Sequence, residues 1–165
     1  MISLAIDPQN FKRVFVVDDG NRVWGSFDEG VTWMDLTGNL TSMTSAIRSV
    51  EVFSTGAAEG NTVLMAGTMN GVFQMRSPAP GQTGADWSRL GEGLPHALAY
   101  DIHYDYTDHV LVAGTLGRGA WLLNNPFSQP QRVEARSPTQ GRRANVAPVR
   151  PLILSPSPPL ATPRR

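Results

Sequence analysis

The sequence predicts an all-β protein assembled from repeated four-stranded sheets. Three observations predict it: a repeat of 47 residues, an octapeptide with the composition of a tight hairpin turn, and short apolar runs separated by Gly, Asn and Asp. Leu64-Met65-Ala66-Gly67-Thr68 matches Leu111-Val112-Ala113-Gly114-Thr115, and Gly71-Val72-Phe73 then matches Gly119-Ala120-Trp121. A period of ~40–50 residues belongs to stacked supersecondary units such as propeller blades, none of which can bury its apolar faces alone.

The first unit opens with the strand Leu4-Ala5-Ile6, closed by Asp7-Pro8-Gln9-Asn10, and continues through Val14–Val17 and Arg22-Val23-Trp24-Gly25-Ser26. Asp19-Gly20-Asn21 supplies the hairpin residues between its second and third strands, as Asn70-Gly71 does in the second unit. The second unit runs through Ile47–Phe53, Val63–Thr68 and Gly71–Met75, and the third through Tyr100–Asp105, Val110–Thr115 and Gly119–Leu123. A fourth strand follows twice, at Thr32–Leu36 and Asp86–Leu90, with Trp33 and Trp87 at the same place. Val14–Val17 and Val110–Ala113 are apolar without alternation, which predicts middle strands covered on both faces by neighbouring blades. The expected division is blades over residues 1–40, 41–93 and 94–125: two complete four-stranded blades and three strands of a third, in an incomplete ring.

Residues 26–33 read Ser26-Phe27-Asp28-Glu29-Gly30-Val31-Thr32-Trp33. In a tight turn Asp28 can accept backbone N–H groups a residue or two ahead, Gly30 can take a positive φ, and Trp33 can cover the hairpin. Each of Ser26, Asp28, Gly30, Thr32 and Trp33 thus has a folding role, and Asp28 as a catalytic acid is the weaker reading. The octapeptide is a complete S-x-D-x-G-x-T-W pattern, and with the repeat it resembles the Asp-box of the BNR-type, sortilin-like β-propellers, which include sialidases and xyloglucanases. The stretch Ala113-Gly114-Thr115-Leu116-Gly117-Arg118-Gly119-Ala120-Trp121 is similar to the terminal blades of such proteins. The resemblance covers about residues 2–124. It implies a turn at the propeller periphery, a secreted or periplasmic setting, and an architecture that catalytic and non-catalytic members share. In the second unit the pattern is replaced by a longer Pro/Gly-rich loop, Arg76–Asp86.

Propellers close with four to eight blades, so the remainder of a larger propeller, or further copies of this chain, is an expected partner. Met1 entering directly into a strand is what a cut through a longer chain gives, and a C-terminal piece of a larger propeller is the favoured expectation.

The sharpest candidate for chemistry is Asp101, His103 and Asp105. Alternate strand residues share a face, and two carboxylates flanking an imidazole can hold a metal or act as acid and base. The competing reading takes Asp105, like Asp7, as a turn aspartate and His103 as a surface residue. Asp101 holds most interest because the innermost strand of a blade lines the central channel. Arg118, in Gly117-Arg118-Gly119, is the candidate for facing a ligand, against the plainer reading of a solvated turn arginine. Arg13, Arg22, Arg48, Arg76 and Arg89 are scattered rather than clustered as a sialidase-like carboxylate site requires. His96 and His109 read as isolated surface residues. Asp18-Asp19-Gly20-Asn21 lacks the later bidentate Glu of a calcium loop. No metal site and no cofactor are expected.

The chain of 165 residues contains no cysteine, which excludes disulfides and thiolate metal sites. No stretch approaches the ~20 apolar residues of a membrane helix, and the start lacks the basic region of a signal peptide. Residues 1–125 carry seven Lys/Arg against thirteen Asp/Glu, whereas 126–165 carry seven Arg, one acid and nine prolines. That tail is expected to be disordered, with a P-x-x-P from Pro156 to Pro159, and its arginines lack the aromatic interleaving that would suggest nucleic acid. The expected function is a non-catalytic propeller segment, a scaffold or binding surface for a protein or glycan partner. The alternative is a fragment of a xyloglucanase- or sialidase-like glycoside hydrolase without a complete active site.

Overall fold

The computed structural model describes residues 1–56, 60–82, 84–91 and 94–127, together with the backbone of 133–136. It contains three four-stranded antiparallel sheets. β1 (Ser3–Ile6), β2 (Val14–Val17), β3 (Val23–Ser26) and β4 (Met34–Asp35) form the first in simple up-and-down order. α1 (Leu40–Met43), a single helical turn, leads to the second: β5 (Ile47–Ser54), β6 (Thr62–Thr68), β7 (Gly71–Arg76) and β8 (Ser88–Arg89). The third holds β9 (Ala99–Asp105), β10 (Val110–Thr115) and β11 (Gly119–Asn124), and then β12 (Val133–Arg136), paired with β11 from Ala120↔Arg136 to Leu123↔Val133. These are propeller blades in an incomplete ring: two full blades and the three expected strands of a third, to which β12 adds a fourth from beyond residue 125. Pro126 is buried and the Phe127 ring stacks on Phe53 at 4.1 Å, so packing also runs past the boundary that composition suggests. The remainder of the tail, with its P-x-x-P segment, lies outside the described residues.

The first strands β1, β5 and β9 lie side by side, so each blade stacks on the next from its inner edge. Strand registers make the blades superimposable. Leu4↔Val16↔Trp24, Val50↔Ala66↔Phe73 and Ile102↔Ala113↔Trp121 are equivalent rows, as are those through Ile6, Val52 and Tyr104. In the second blade these rows face the first blade: Val50, Val52, Leu64, Ala66 and Phe73 share one core with Phe15, Val17 and Val23. In the third blade the equivalent Ile102, Tyr104, Leu111 and Ala113 share a core with Phe53, Met65 and Val72 of the second.

Among the described residues only the middle blade has a neighbour on each side, and its β6 is buried at all seven positions. β2 alternates half-buried and buried, and so does β10 along its first four residues. The unbroken apolar runs of β2 and β10 predict cover on both faces. Among the described residues they have cover on one face, the one that packs against the middle blade.

Polar clips reinforce both interfaces. Asp7 and Arg13 form a buried ion pair at 3.0 Å, and Arg13 also donates to Thr62 of the second blade. Asn39 grips Trp87 twice, accepting its backbone N–H at 2.7 Å and donating to its carbonyl at 3.1 Å, while the Trp87 indole donates to the Leu36 carbonyl at 2.8 Å. Trp33 precedes the fourth strand as Trp87 does. Yet Trp87 is 3% exposed between two blades and Trp33 is 43% exposed over its own turn, donating to the Gly30 carbonyl. Between the second and third blades, the Tyr106 hydroxyl accepts the Ser54 N–H and donates to the Val52 carbonyl. Burial beside this aromatic cluster pushes the Tyr106 phenol up to about 12.

The two ion pairs of the first blade should differ sharply in what their loss costs. Asp7→Ala removes the carboxylate that neutralises a buried guanidinium and should cost about 3–5 kcal/mol. Arg22→Ala removes an exposed pair, Arg22–Asp35 at 3.5 Å, and should cost at most ~1 kcal/mol. Urea unfolding of both variants measures the difference.

Candidate functional site

At the Ser26–Trp33 turn the Asp28 carboxylate is saturated by its own hairpin. Its Oδ1 accepts the Thr32 N–H at 2.8 Å and the Ser26 hydroxyl at 2.8 Å, and its Oδ2 accepts the Thr32 hydroxyl at 2.6 Å. The Ser26 hydroxyl in turn accepts the Gly30 N–H at 2.8 Å. The amide is thus four residues ahead rather than one or two, because Glu29 and Gly30 both take positive φ, 64° and 88°, and fold the chain back over the carboxylate. Hydrogen bonds from the Thr32 hydroxyl first, then its N–H, then Ser26, hold Asp28 down at about 2. A carboxylate so committed is a poor proton donor near neutral pH.

Asp101, His103 and Asp105 do share one face of β9, with Ile102 and Tyr104 buried on the other. They do not converge on one point. Four residues of strand separate the two carboxylates by about 13 Å at ~3.3 Å per residue, beyond the spacing of a glycosidase pair. Asp105 accepts the Thr107 N–H at 2.7 Å and the Asp108 N–H at 3.2 Å, which lower its pKa. Asp7 does the same for the Gln9 N–H at 2.9 Å, so the alignment of the two as turn aspartates holds. His103 leans instead on Glu51 of the second blade, Nδ1 to Oε2 at 3.1 Å. Glu51 also accepts the Tyr104 N–H at 3.4 Å and the Val52 N–H at 2.9 Å, joining two inner strands. Among the described residues no three His, Asp or Glu side chains gather as metal ligands. His109 is not isolated: its Nδ1 lies 3.2 Å from the Tyr104 hydroxyl.

Asp18 organises the β2–β3 hairpin by accepting the Trp24 indole N–H at 2.8 Å and the Arg22 N–H at 2.9 Å, which lower its pKa. A hairpin turn, not a calcium loop, occupies this stretch. The arginines are dispersed: Arg13 is buried between blades, Arg22 pairs with Asp35, and Arg89 donates to the Asn70 carbonyl and lies 4.9 Å from the Phe73 ring centroid. Arg118 is exposed on the β10–β11 hairpin, where its carbonyl accepts the Trp121 indole N–H at 3.1 Å.

Sequence reasoning missed the groove where the three inner strands begin. Ile2 and Ser3, Arg48 and Ser49, and Tyr100 and Asp101 line a cavity of about 350 Å3. Each pair comes from a different blade, spaced about 50 residues apart, so no local motif announces it. Tyr100 is 65% exposed, an aromatic face left open to solvent beside a guanidinium and a carboxylate. Ser49 is buried, and among the described residues its hydroxyl finds no hydrogen-bond partner. Of the residues named from the sequence, Asp101 and Arg48 reach this groove; Arg118 lies on a hairpin at the same end of the blades. No family model matches the chain, and no curated protein matches it.

The Asp28 carboxyl should titrate near pH 2 by NMR instead of near its ordinary value of 3.8. Its folded pKa is depressed, so its contribution to stability is complete above about pH 4 and is lost as pH falls through about 2. Thermal melts should therefore show a steeper acid loss for the native chain than for Asp28→Asn across that window. Equal slopes would contradict the turn assignment.

Proposed function

We propose that the chain is a non-catalytic β-propeller segment of the BNR/Asp-box type, acting as a scaffold whose groove at the inner strands binds a glycan or protein partner. The fate of the carboxylates carries the reading. Asp7 is locked to Arg13, Asp28 is saturated by Ser26 and Thr32, and Asp105 is bonded to its own turn. What remains in the groove suits recognition. Tyr100 offers a ring for stacking on a sugar or apolar side chain, and Arg48 and Asp101 offer donors and acceptors for hydroxyls. No helix of the described residues is long and apolar enough to cross a membrane. The glycoside hydrolase alternative draws on the same resemblance but, among the described residues, has only Asp101 to place in the groove, where retaining and inverting chemistry both use a pair of carboxyl groups.

Calorimetry against a panel of neutral and anionic oligosaccharides tests this. Binding should weaken at least about tenfold in Tyr100→Ala and in Arg48→Ala, with no reducing sugar released over long incubation. Turnover of a glycoside that Asp101→Asn abolishes would overturn the non-catalytic reading in favour of the hydrolase.

A further inference from the structure

A second cavity lies between the first and second blades, at the end where β2 turns into β3. The β2–β3 hairpin, the turn after β4 and Thr41 of α1 bound it on one side, and Gly84 and Ala85, ahead of β8, bound it on the other. Its volume is about 480 Å3, within the ~300–1,000 Å3 of small-molecule sites. Asn21, Arg22, Asp35 and Thr41 give it polar side chains, and each of the first three is steadied by a bond on the protein side. The Asn21 Oδ1 accepts the Ile47 N–H at 3.1 Å, which fixes the carboxamide. The Asn21 Nδ2 donors have no partner among the described residues. Asp35 is held by the Thr37 N–H, at 2.8 Å from its Oδ1, and its Oδ2 lies 3.5 Å from the Arg22 guanidinium. Arg22 thus engages one of its five side-chain N–H donors, and at long range.

We propose that this cleft is a second sugar-binding subsite, placed so that an oligosaccharide seated in the inner groove extends into it. The inference rests on the reading of that groove as a glycan site, and goes beyond it by adding a site and fixing the partner as a saccharide chain. The chemistry of the lining selects the ligand. One guanidinium stands beside one carboxylate, so the lining favours neither an anion nor a cation. A hydroxyl both donates and accepts. Two neighbouring hydroxyls of a sugar ring can therefore accept from Asn21 or Arg22 and donate to Asp35 together. Groups fixed before the ligand arrives cost little to order. No aromatic or branched apolar side chain lines the cleft to hold the side chains of a peptide. The inner groove repeats the pairing with Arg48 and Asp101 and adds the Tyr100 ring. The two sites are neighbours along β5: Asn21 of the cleft is bonded to Ile47, and the next residue, Arg48, lines the groove.

Calorimetry of the full chain with maltose, cellobiose and chitobiose, each against its hexasaccharide, tests the subsite. In the series that binds, the hexasaccharide should bind at least about tenfold more tightly than the disaccharide. Arg22→Ala, which loses only an exposed ion pair, should remove that advantage and leave the disaccharide affinity unchanged. The isosteric Asp35→Asn should act in the same direction, since it keeps an acceptor for the Thr37 N–H. In NMR spectra the Asn21 side-chain amide should shift with the hexasaccharide. Equal affinity for both lengths, or a hexasaccharide affinity that survives Arg22→Ala with the Asn21 amide unshifted, overturns the subsite. The groove reading then stands as long as Tyr100→Ala weakens binding of both lengths. Hexasaccharide binding that Arg22→Ala weakens and Tyr100→Ala does not would keep the cleft and sink the groove reading alone. Binding by none of these sugars overturns the subsite and leaves the groove to a protein partner.

Discussion

Everything in this chain depends on one constraint: a blade with apolar side chains on both faces needs a blade on either side. The middle sheet satisfies it. β6 is buried from end to end because cores lie against both its faces, one built with Phe15 and Val17 and the other with Tyr104 and Leu111. Among the described residues the first and third sheets satisfy it once each. Burying a Leu, Ile or Val side chain is worth about 1.5–3 kcal/mol, so two such interfaces provide most of the driving force. Polar groups fix their register.

The polar clips follow from the same constraint. Inner strands sit at sheet edges, where alternate N–H groups point out of the ladder. Ser3, Glu51 and the Tyr106 hydroxyl take up such groups on Val50, Tyr104 and Ser54. The blade boundary thus does two things at once: it removes apolar surface from water and satisfies edge amides. Asp7–Arg13–Thr62 adds a buried charge pair to the first boundary. At the second boundary the positions equivalent to Asp7 and Arg13 are Phe53 and Val63, within an aromatic cluster. Position for position, one interface uses charge and the other rings.

Function was less legible than fold because the chemistry-bearing residues are spent on turns. Asp28, Asp105 and Asp18 each look reactive on paper and each accepts backbone N–H groups within its own loop. That outcome was readable for Asp28 and Asp105, whose neighbours Gly30 and Thr107 belong to turns. The groove of Arg48, Tyr100 and Asp101 was not readable, since its parts are contributed by strands of three separate blades.

By itself the sequence determined the blades: the 47-residue spacing, the hairpin residues, the alternation that puts Ile102 and Tyr104 opposite Asp101 and His103, and the turn built on Asp28. These are local properties, set by a period of two along a strand and by side chains bonding within a few residues. Only the tertiary structure decided which faces are covered, that Trp87 is buried while the equivalent Trp33 is not, and that β12 pairs from within a proline-rich tail. Those depend on how many blades stand beside one another. An apolar strand reads the same in sequence whether or not its neighbour is present.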